Sequence, residues 1–193
     1  MKALDDAIRS MGKAIGDRIV KVDMFLNHRL ETGLLFQMGE ELGREFATEK
    51  PELILTVEAS GIALAMTAAH ALGDIPVVFA KKQPTSVQSD DVVQAPVYSF
   101  THQQMNMIRV QKNYLPENTR VLIVDDFLAD GQAVSGMMSL CAQRNCPVVG
   151  VGIGVEKGFQ PGGAQLREKG VHLRSLAIVD SIQDGRVTLR AQD

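Results

Sequence analysis

One stretch of thirteen residues constrains the fold more than any other part of the chain. Residues 121–133 (VLIVDDFLADGQA) begin as an aliphatic run, pass through Asp125 and Asp126, and continue into a turn of small residues. A short aliphatic run is typical of a buried parallel strand, so two acids where it ends should emerge at the carboxyl edge of a sheet. The sequence therefore predicts a strand, a turn and a helix, with the acids and the turn close together.

This strand, turn and helix would unite two kinds of ligand-binding group. Open α/β sheets bind ligands at the carboxyl edge of their strands. The turn offers backbone N–H groups and the positive end of a helix dipole to a phosphate, whereas carboxylates suit ribose hydroxyls and Mg²⁺. The spacing thus predicts a site for one ribose 5-phosphate unit. In the alternative interpretation the acids merely end a strand at a solvated edge, but the turn that follows them favours the functional interpretation.

Helical and strand patterns alternate along the rest of the chain. This order predicts one α/β domain over residues 1–193, with a twisted, mostly parallel sheet and helices on both faces. Residues 82–116 contain few long apolar runs and are expected to form an irregular hairpin or lid. We predict the other helices and strands at residues 34–46, 53–57, 61–72, 76–80, 134–141, 148–155, 173–178 and 186–189.

The composition argues against several classes of partner. Lys and Arg total 20 against 23 Asp and Glu, and a net charge of −3 gives no general electrostatic grip on nucleic acid. Residues 1–6 lack the basic region and apolar core of a signal peptide, and no apolar run is long enough to span a bilayer. We therefore expect a cytoplasmic protein with no membrane partner. Cys141 and Cys146 are the only cysteines and are expected to be buried thiols.

Residues 121–133 resemble the phosphoribosyl pyrophosphate motif of the type I phosphoribosyltransferases. Five further segments carry the resemblance beyond this motif: residues 26–28 (LNH), 57–62 (VEASGI), 78–82 (VFAKK), 97–100 (VYSF) and 156–162 (EKGFQPG). Together they resemble the bacterial xanthine phosphoribosyltransferases, in order along nearly the whole chain. The resemblance implies the type I phosphoribosyltransferase fold, with a small hood from the N- and C-terminal segments, to which residues 1–32 contribute, and a flexible lid over about residues 83–115.

The resemblance implies a reaction of purine salvage. A phosphoribosyl group would move from phosphoribosyl pyrophosphate to N9 of xanthine, with Mg²⁺ as cofactor and a homodimer as the assembly. Bond breaking at the ribose C1 develops oxocarbenium character, so such an enzyme stabilises a cationic sugar and a departing pyrophosphate together. Guanine or hypoxanthine is the alternative base. A non-catalytic sensor of purines or phosphoribosyl pyrophosphate on the same fold is the alternative function, although the first forty residues are too sparse in Lys and Arg for a DNA-binding segment.

The resemblance also implies roles for individual residues. Asp125 and Asp126 would hold the ribose hydroxyls, directly or through Mg²⁺ and water, and favour the cationic ring. The 5′-phosphate loop would comprise Ala129, Asp130, Gly131, Gln132 and Ala133. The pyrophosphate would bind at Ala59, Ser60, Gly61, Lys81, Lys82, Tyr98 and Ser99. Xanthine would meet the backbone of Val20, the amide of Asn27 at its 2-oxo edge, the amine of Lys157 at its 6-oxo group, and the ring of Phe159.

Several of these residues also have an ordinary structural interpretation. Ser60 and Gly61 lie in a strand-to-helix turn of a kind that is common in α/β proteins. Tyr98 and Phe159 are equally suited to packing, and an isolated Asn such as Asn27 is usually a turn residue. On the residues alone, both interpretations stay open.

Three positions depart from the commonest pattern of the family. Asp130 stands where Thr is common, and because a carboxylate would repel phosphate, we expect it to point away or to cap the following helix. Ala133 stands where a hydroxyl residue is common. Ala129 stands where some purine enzymes place an acid, so a carboxylate base for N7 is missing there.

The glycines of residues 150–154 suggest a dinucleotide loop but lie within a predicted strand, so close packing explains them better.

Overall fold

The N-terminal segment forms a layer of short elements before the main sheet. The computed structural model describes residues 1–16, 19–83, 91–99 and 104–191. The first helix buries Leu4, Ala7 and Ile8, which lie on one face because they are three and four residues apart. The elements in order are α1 (Lys2–Met11), the antiparallel strands β1 (Lys13–Ile15) and β2 (Ile19–Lys21), a π-helical turn (Asp23–Asn27) and α2 (Thr32–Phe46).

A six-stranded sheet forms the centre of the molecule. The elements after α2 are β3 (Leu53–Val57), α3 (Gly61–Ala71), β4 (Val77–Ala80), β5 (Val92–Ser99), β6 (Gln104–Gln111), β7 (Val121–Leu128), α4 (Gln132–Ala142), β8 (Val148–Lys157), α5 (Gly162–Glu168), β9 (Leu173–Gln183) and β10 (Arg186–Leu189). The strand order is β10-β9-β8-β7-β3-β4. Only the β10–β9 pair is antiparallel in this sheet. The predicted mostly parallel sheet is therefore confirmed.

Apolar side chains on the two faces of the sheet form two cores. Leu122 and Val124 of β7 belong to a first core with α1, α2 and α3, whereas Ile123 belongs to a second core with α4, because successive side chains of a strand point to opposite faces. Cys141 and Cys146 are free thiols in the second core, as predicted, and burial raises the pKa of Cys141 to about 12. Among the described elements, no helix is both long enough and apolar enough to cross a membrane.

A regular antiparallel hairpin of β5 and β6 stands where an irregular segment was expected. The two strands pair in register over eight residues each. Val93, Ala95, Ile108 and Val110 are buried in the second core, since every other residue faces α4. The expected hairpin is present, but its strands are regular rather than irregular, because alternating strands need no long apolar run. The remainder of the expected lid, residues 84–90 and 100–103, lies outside the described residues.

Strand β7 is longer than the sequence indicated. It continues through both acids to Leu128, which pairs with Glu156 of β8. The prediction that the acids lie where the strand ends was therefore wrong, because Phe127 and Leu128 extend the ladder. Asp125 and Asp126 are each only 5% exposed, which also contradicts the interpretation of a solvated strand edge.

The glycines of β8 are explained by packing. A Cβ atom at Gly150 would lie 2.4 Å from the Phe46 ring, and one at Gly154 would lie 2.8 Å from the backbone oxygen of Asp126. Both residues lie inside the strand rather than in a loop before a helix. The prediction of close packing in place of a dinucleotide loop is confirmed.

Candidate active site

Two adjacent buried carboxylates lie near the carboxyl end of β7. The backbone N–H of Asp126 donates to Oδ1 of Asp125 at 2.9 Å. Burial and the neighbouring Asp126 carboxylate raise the pKa of Asp125 well above its usual value. Gly61 begins α3 and packs on this group, since a Cβ atom there would lie 2.7 Å from Oδ1 of Asp125. The acid pair therefore lies against the N-terminus of a helix, where the dipole favours negative charge.

Asp126 contacts two of the predicted substrate-binding residues. Ser60 Oγ donates to Oδ1 of Asp126 at 2.9 Å, and Asn27 Nδ2 donates to Oδ2 at 3.4 Å. Ser60 precedes α3, and Asn27 ends the π-helical turn. Residues expected at the pyrophosphate and at the base thus meet at one carboxylate. Sequence spacing did not predict this contact, because 99 residues separate Asn27 from Asp126.

The predicted phosphate turn joins β7 to α4. Gly131 has a φ of 84°, in the left-handed region that favours glycine. Oδ1 of Asp130 accepts a hydrogen bond from the backbone N–H of Gln132, the first residue of α4, at 3.2 Å. The N-cap residue is Gly131, so Asp130 is not the cap that was one of its two expected roles, but its carboxylate accepts from one of the free N–H groups at the start of the helix.

The phosphate turn packs directly on the loop that follows β8. The backbone N–H of Gly162 donates to the carbonyl oxygen of Ala129 at 3.1 Å. A Cβ atom at Gly162 would lie 2.6 Å from that oxygen and 2.6 Å from the nitrogen of Gly131, so a side chain does not fit there. Ala133, at the start of α4, packs against the second core. The turn expected to hold phosphate and the loop expected to hold the base therefore position each other.

Lys157 ends β8 and lies beside Phe127 of β7. Its Nζ atom is 5.8 Å from the centroid of the Phe127 ring, within the range of a cation–π contact. Burial lowers the pKa of Lys157, and the negative charge of Asp130 acts in the opposite direction. Phe159 is 37% exposed, which leaves part of its ring available for stacking. The cation expected at the base and the acids expected at the ribose thus lie on neighbouring strands.

The two lysines after β4 differ in their contacts. Lys81 exchanges two backbone hydrogen bonds of 2.9 Å with Arg109, and its Nζ atom is 5.9 Å from the centroid of the Phe79 ring. The backbone N–H of Lys82 donates to the Glu58 carboxylate at 2.6 Å. The positive charge of Lys82 partly offsets the rise that burial causes in the pKa of Asp125. The charge of Lys82 therefore acts on Asp125 of the acid pair.

The other predicted residues lie on three separate elements. Ala59 follows Glu58 through a cis peptide bond, directly before Ser60. The side chain of Val20 is buried in the first core, so only its backbone is available to a ligand. Tyr98 and Ser99 end β5, opposite residues at the start of β6.

A buried ion cluster beside the site was missed by the sequence analysis. Glu156 is 2% exposed and accepts two hydrogen bonds of 2.7 Å from the Arg167 guanidinium and one of 2.5 Å from Ser175 Oγ. Burial raises the pKa of Glu156, but the hydrogen bonds from Arg167 and Ser175 outweigh this effect and hold it below its usual value. A lone Glu at the end of an aliphatic strand was a usable signal, because a buried charge requires a partner.

The acid pair fits a Mg²⁺ ion that a ligand helps to coordinate. In the described parts of the chain, no three His, Cys, Asp or Glu side chains are grouped so that they could hold a metal ion by themselves. Mg²⁺ is usually bound through one or two carboxylates together with phosphates and water. Asp125 and Asp126 supply such oxygen atoms and are the residues that could hold the ion.

Proteins with similar sequences are named xanthine phosphoribosyltransferase. The protein of that name from Bacillus mycoides is 45% identical over 193 residues, which cover 100% of this chain and 98% of the relative. The one from Oceanobacillus iheyensis is 44% identical over 192 residues, with 100% and 98% covered. The one from Pediococcus pentosaceus is 45% identical over 184 residues, with 95% and 96% covered.

Solved structures with a similar fold are adenine phosphoribosyltransferases. The enzyme from Giardia lamblia, complexed with 9-deazaadenine, has a TM-score of 0.75 at 21% identity, over 91% of this chain and 96% of that one. The enzyme from Saccharomyces cerevisiae has a TM-score of 0.71 at 20% identity, over 91% and 99%. At such low identity the likeness concerns the fold, and it confirms the predicted type I phosphoribosyltransferase fold.

A sequence profile described as the phosphoribosyl transferase domain matches residues 26–165. The match begins next to Asn27 and includes Ser60, both acids of β7 and Lys157. It spans well over half of the chain and agrees with the full-length similarity to the bacterial relatives. The chain therefore belongs to the phosphoribosyltransferase family.

Proposed function

We propose that this protein transfers the 5-phosphoribosyl group from phosphoribosyl pyrophosphate to N9 of xanthine. The products are xanthosine 5′-phosphate and pyrophosphate. One structural observation carries the proposal: Asp126 and the phosphate turn that follows β7 lie at the same edge of the sheet as Lys157, which ends the neighbouring strand β8 and has its Nζ atom next to the Phe127 ring. Groups suited to ribose, phosphate and a purine oxygen therefore occupy one edge of the sheet. The names of the full-length relatives give the base its identity.

The buried acids suit the charge that develops during this transfer. The C1–O bond breaks with its electron pair leaving on pyrophosphate, the lone pair of N9 forms the new C1–N bond, and the imidazole N–H proton of xanthine passes to water. Positive charge develops on the ribose ring between these events, and a fixed carboxylate in a buried site stabilises such charge better than water does. Ser60 fixes the orientation of Asp126 through its hydrogen bond of 2.9 Å. Mg²⁺, when bound with the substrate at Asp125 and Asp126, supplies positive charge to the pyrophosphate.

The phosphates fit the backbone groups around the acids. The turn at Gly131 presents N–H groups at the start of α4 to the 5′-phosphate. Ser60 and Gly61 present the N-terminus of α3 to the pyrophosphate, and Lys82 adds a positive charge near the acid pair. These groups would bind the two phosphate-bearing parts of the substrate on either side of the acid pair's sequence, at the starts of α4 and α3.

The base-recognition groups favour a 6-oxopurine. Lys157 is a donor, so it matches the 6-oxo group of xanthine, whereas adenine presents a donor there and leaves the lysine unpaired. The Asn27 amide can present either its N–H or its carbonyl oxygen to position 2 of the purine. Xanthine accepts from the N–H and guanine donates to the oxygen, so guanine is the second candidate substrate. Phe159 is proposed to stack on the base.

The assembly and the location belong to the same proposal. We expect a homodimer, which light scattering after size exclusion would report as twice the 21.0 kDa of one chain. We expect the protein in the cytoplasmic fraction of cells. A mass of one chain under assay conditions would contradict the homodimer without affecting the proposed chemistry.

Steady-state assays with four bases test the proposal. Xanthine, guanine, hypoxanthine and adenine are each supplied with phosphoribosyl pyrophosphate and Mg²⁺, and the nucleotide product is identified by mass. We expect the highest kcat/KM with xanthine and the lowest with adenine. A preference for guanine would contradict the choice of base only. If no base were turned over, the proposal that the protein is an enzyme would be contradicted and a non-catalytic binding role would be favoured.

A further inference from the structure

Asp126 accepts hydrogen bonds from two residues that are proposed to bind different substrates. Ser60 reaches one carboxylate oxygen at 2.9 Å, and Asn27 reaches the other at 3.4 Å. Ser60 lies at the start of α3, whereas Asn27 is an exposed residue of the N-terminal segment. One buried carboxylate therefore connects a residue proposed for the pyrophosphate with a residue proposed for the base.

The contact between Asn27 and Asp126 uses groups that the substrates also require. Oδ2 of Asp126 faces the Asn27 amide, so its lone pairs are partly engaged before a ribose hydroxyl or Mg²⁺ approaches. A cation bound to that oxygen makes it a weaker acceptor for the amide. At 3.4 Å the hydrogen bond is long, so its loss costs little and the competition amounts to several-fold in affinity.

We infer that the hydrogen bond from Asn27 to Asp126 is a contact of the ligand-free protein that is exchanged for substrates and couples their binding. This inference rests on the proposed function. When phosphoribosyl pyrophosphate and Mg²⁺ bind to Asp126, the hydrogen bond from Asn27 breaks and the Asn27 amide becomes available to the base. When the base binds to the amide first, the same hydrogen bond breaks and Asp126 becomes available to the sugar. By linkage, each substrate then raises the affinity for the other by the same factor.

The test measures binding of one substrate in the absence of the other. Phosphoribosyl pyrophosphate with Mg²⁺, and without any base, is titrated calorimetrically into the wild-type protein and into Asn27→Ala. Because the variant lacks the competing amide, we expect it to bind the sugar phosphate about 3- to 10-fold more tightly. Asn27 is exposed, so the substitution should leave the thermal unfolding midpoint unchanged.

Two matched variants make the result specific. His28→Ala changes the exposed neighbouring residue and should alter the affinity by less than about twofold. In an Asp126→Asn background, the additional change of Asn27 to alanine should no longer tighten binding, because the acceptor has lost its charge. Equal or weaker binding by Asn27→Ala, with wild-type binding intact, would overturn the inference alone. If the wild-type protein bound no phosphoribosyl pyrophosphate, the proposed function would fail and the inference with it.

Discussion

Two buried carboxylate sites near the carboxyl ends of neighbouring strands are built in opposite ways. Glu156 on β8 has a guanidinium and a hydroxyl as partners, and its pKa lies below the usual value because their hydrogen bonds outweigh the effect of burial. Asp125 on β7 is buried next to a second carboxylate, that of Asp126, and both effects raise its pKa. Burial is similar in the two sites, so the nature of the partner distinguishes them.

The difference separates a structural carboxylate from a functional one. A buried charge with its own counter-ion is satisfied within the fold, and removing one partner leaves the other uncompensated. Two adjacent acids repel each other, and that repulsion is relieved by a cation or by hydroxyl donors from outside the chain. The Glu156 cluster should therefore govern stability, and the acid pair should govern turnover. Five predictions test this division.

The largest expected effect is on turnover in the double variant Asp125→Asn, Asp126→Asn. Both amides retain the size of the side chain but lose the negative charge that stabilises the cationic ribose. We expect kcat to fall by about 10³-fold or more, which corresponds to roughly 4 kcal/mol in the activation barrier. The free energy of unfolding should not decrease, since the repulsion is removed. Near-normal turnover in this variant would contradict the ribose role of the pair.

The next effect is on stability in Glu156→Ala. Truncation removes the acceptor of Arg167 and Ser175 inside the protein, so we expect the free energy of unfolding to fall by about 3 kcal/mol in urea titrations. Glu168→Ala is the matched control, because this exposed acid lies in the same helix as Arg167 and should change stability by less than about 0.5 kcal/mol. Equal stabilities of the two variants would show that the cluster contributes nothing to the fold.

Lys157→Ala tests the residue that directly follows the structural acid. Loss of a charged donor to the 6-oxo group should lower kcat/KM for xanthine by about 10- to 100-fold, equivalent to about 1.5–3 kcal/mol. The KM for phosphoribosyl pyrophosphate should change little, because the lysine is proposed to face the base. If the KM for phosphoribosyl pyrophosphate changed more than the kcat/KM for xanthine, the assignment of Lys157 to the base would be wrong.

Local sequence patterns were sufficient for the sheet and for the phosphate turn. The aliphatic runs of β3, β7 and β8 identify buried strands, because parallel strands covered on both faces need apolar residues throughout. The contact of Asp130 with the start of α4 could be expected because its carboxylate accepts from the backbone N–H only two residues away. Such features depend on neighbours in sequence.

Features that depend on distant partners were not predictable in the same way. Pairing with β8 extends β7 beyond Asp125 and Asp126, so that both acids are buried. The spacing of residues in the sequence does not encode this pairing. The contact of Asn27 with Asp126 spans 99 residues, and that of Glu156 with Ser175 joins two strands. The regular pairing of β5 with β6 was overlooked because each strand shows only an alternation whose buried face is set by α4.

The pH dependence of stability sharpens the comparison. The pKa of Glu156 is lower in the folded protein than its ordinary value of 4.5, so its contribution to stability is present above that pH. It is lost as the pH falls through the folded pKa, because the folded carboxylate must then be protonated. We expect Glu156→Gln to lose less free energy of unfolding than the wild type between pH 7 and about pH 3. Parallel loss in both proteins would contradict the ion pairing of Glu156.

The smallest effect concerns Asp130, which lies in the turn between β7 and α4. Asn at this position can still accept the hydrogen bond from the Gln132 N–H, but it removes a negative charge from the turn proposed to hold the 5′-phosphate. We therefore expect Asp130→Asn to lower the KM for phosphoribosyl pyrophosphate by about 2- to 5-fold, as expected for a partly screened charge. Asp130→Ala separates the two roles, because it also removes the charge but loses the hydrogen bond, at a cost of about 1 kcal/mol in stability. An unchanged KM in both variants would mean that the charge of Asp130 does not affect phosphate binding. The hydrogen bond to the Gln132 N–H would then be the only role of Asp130.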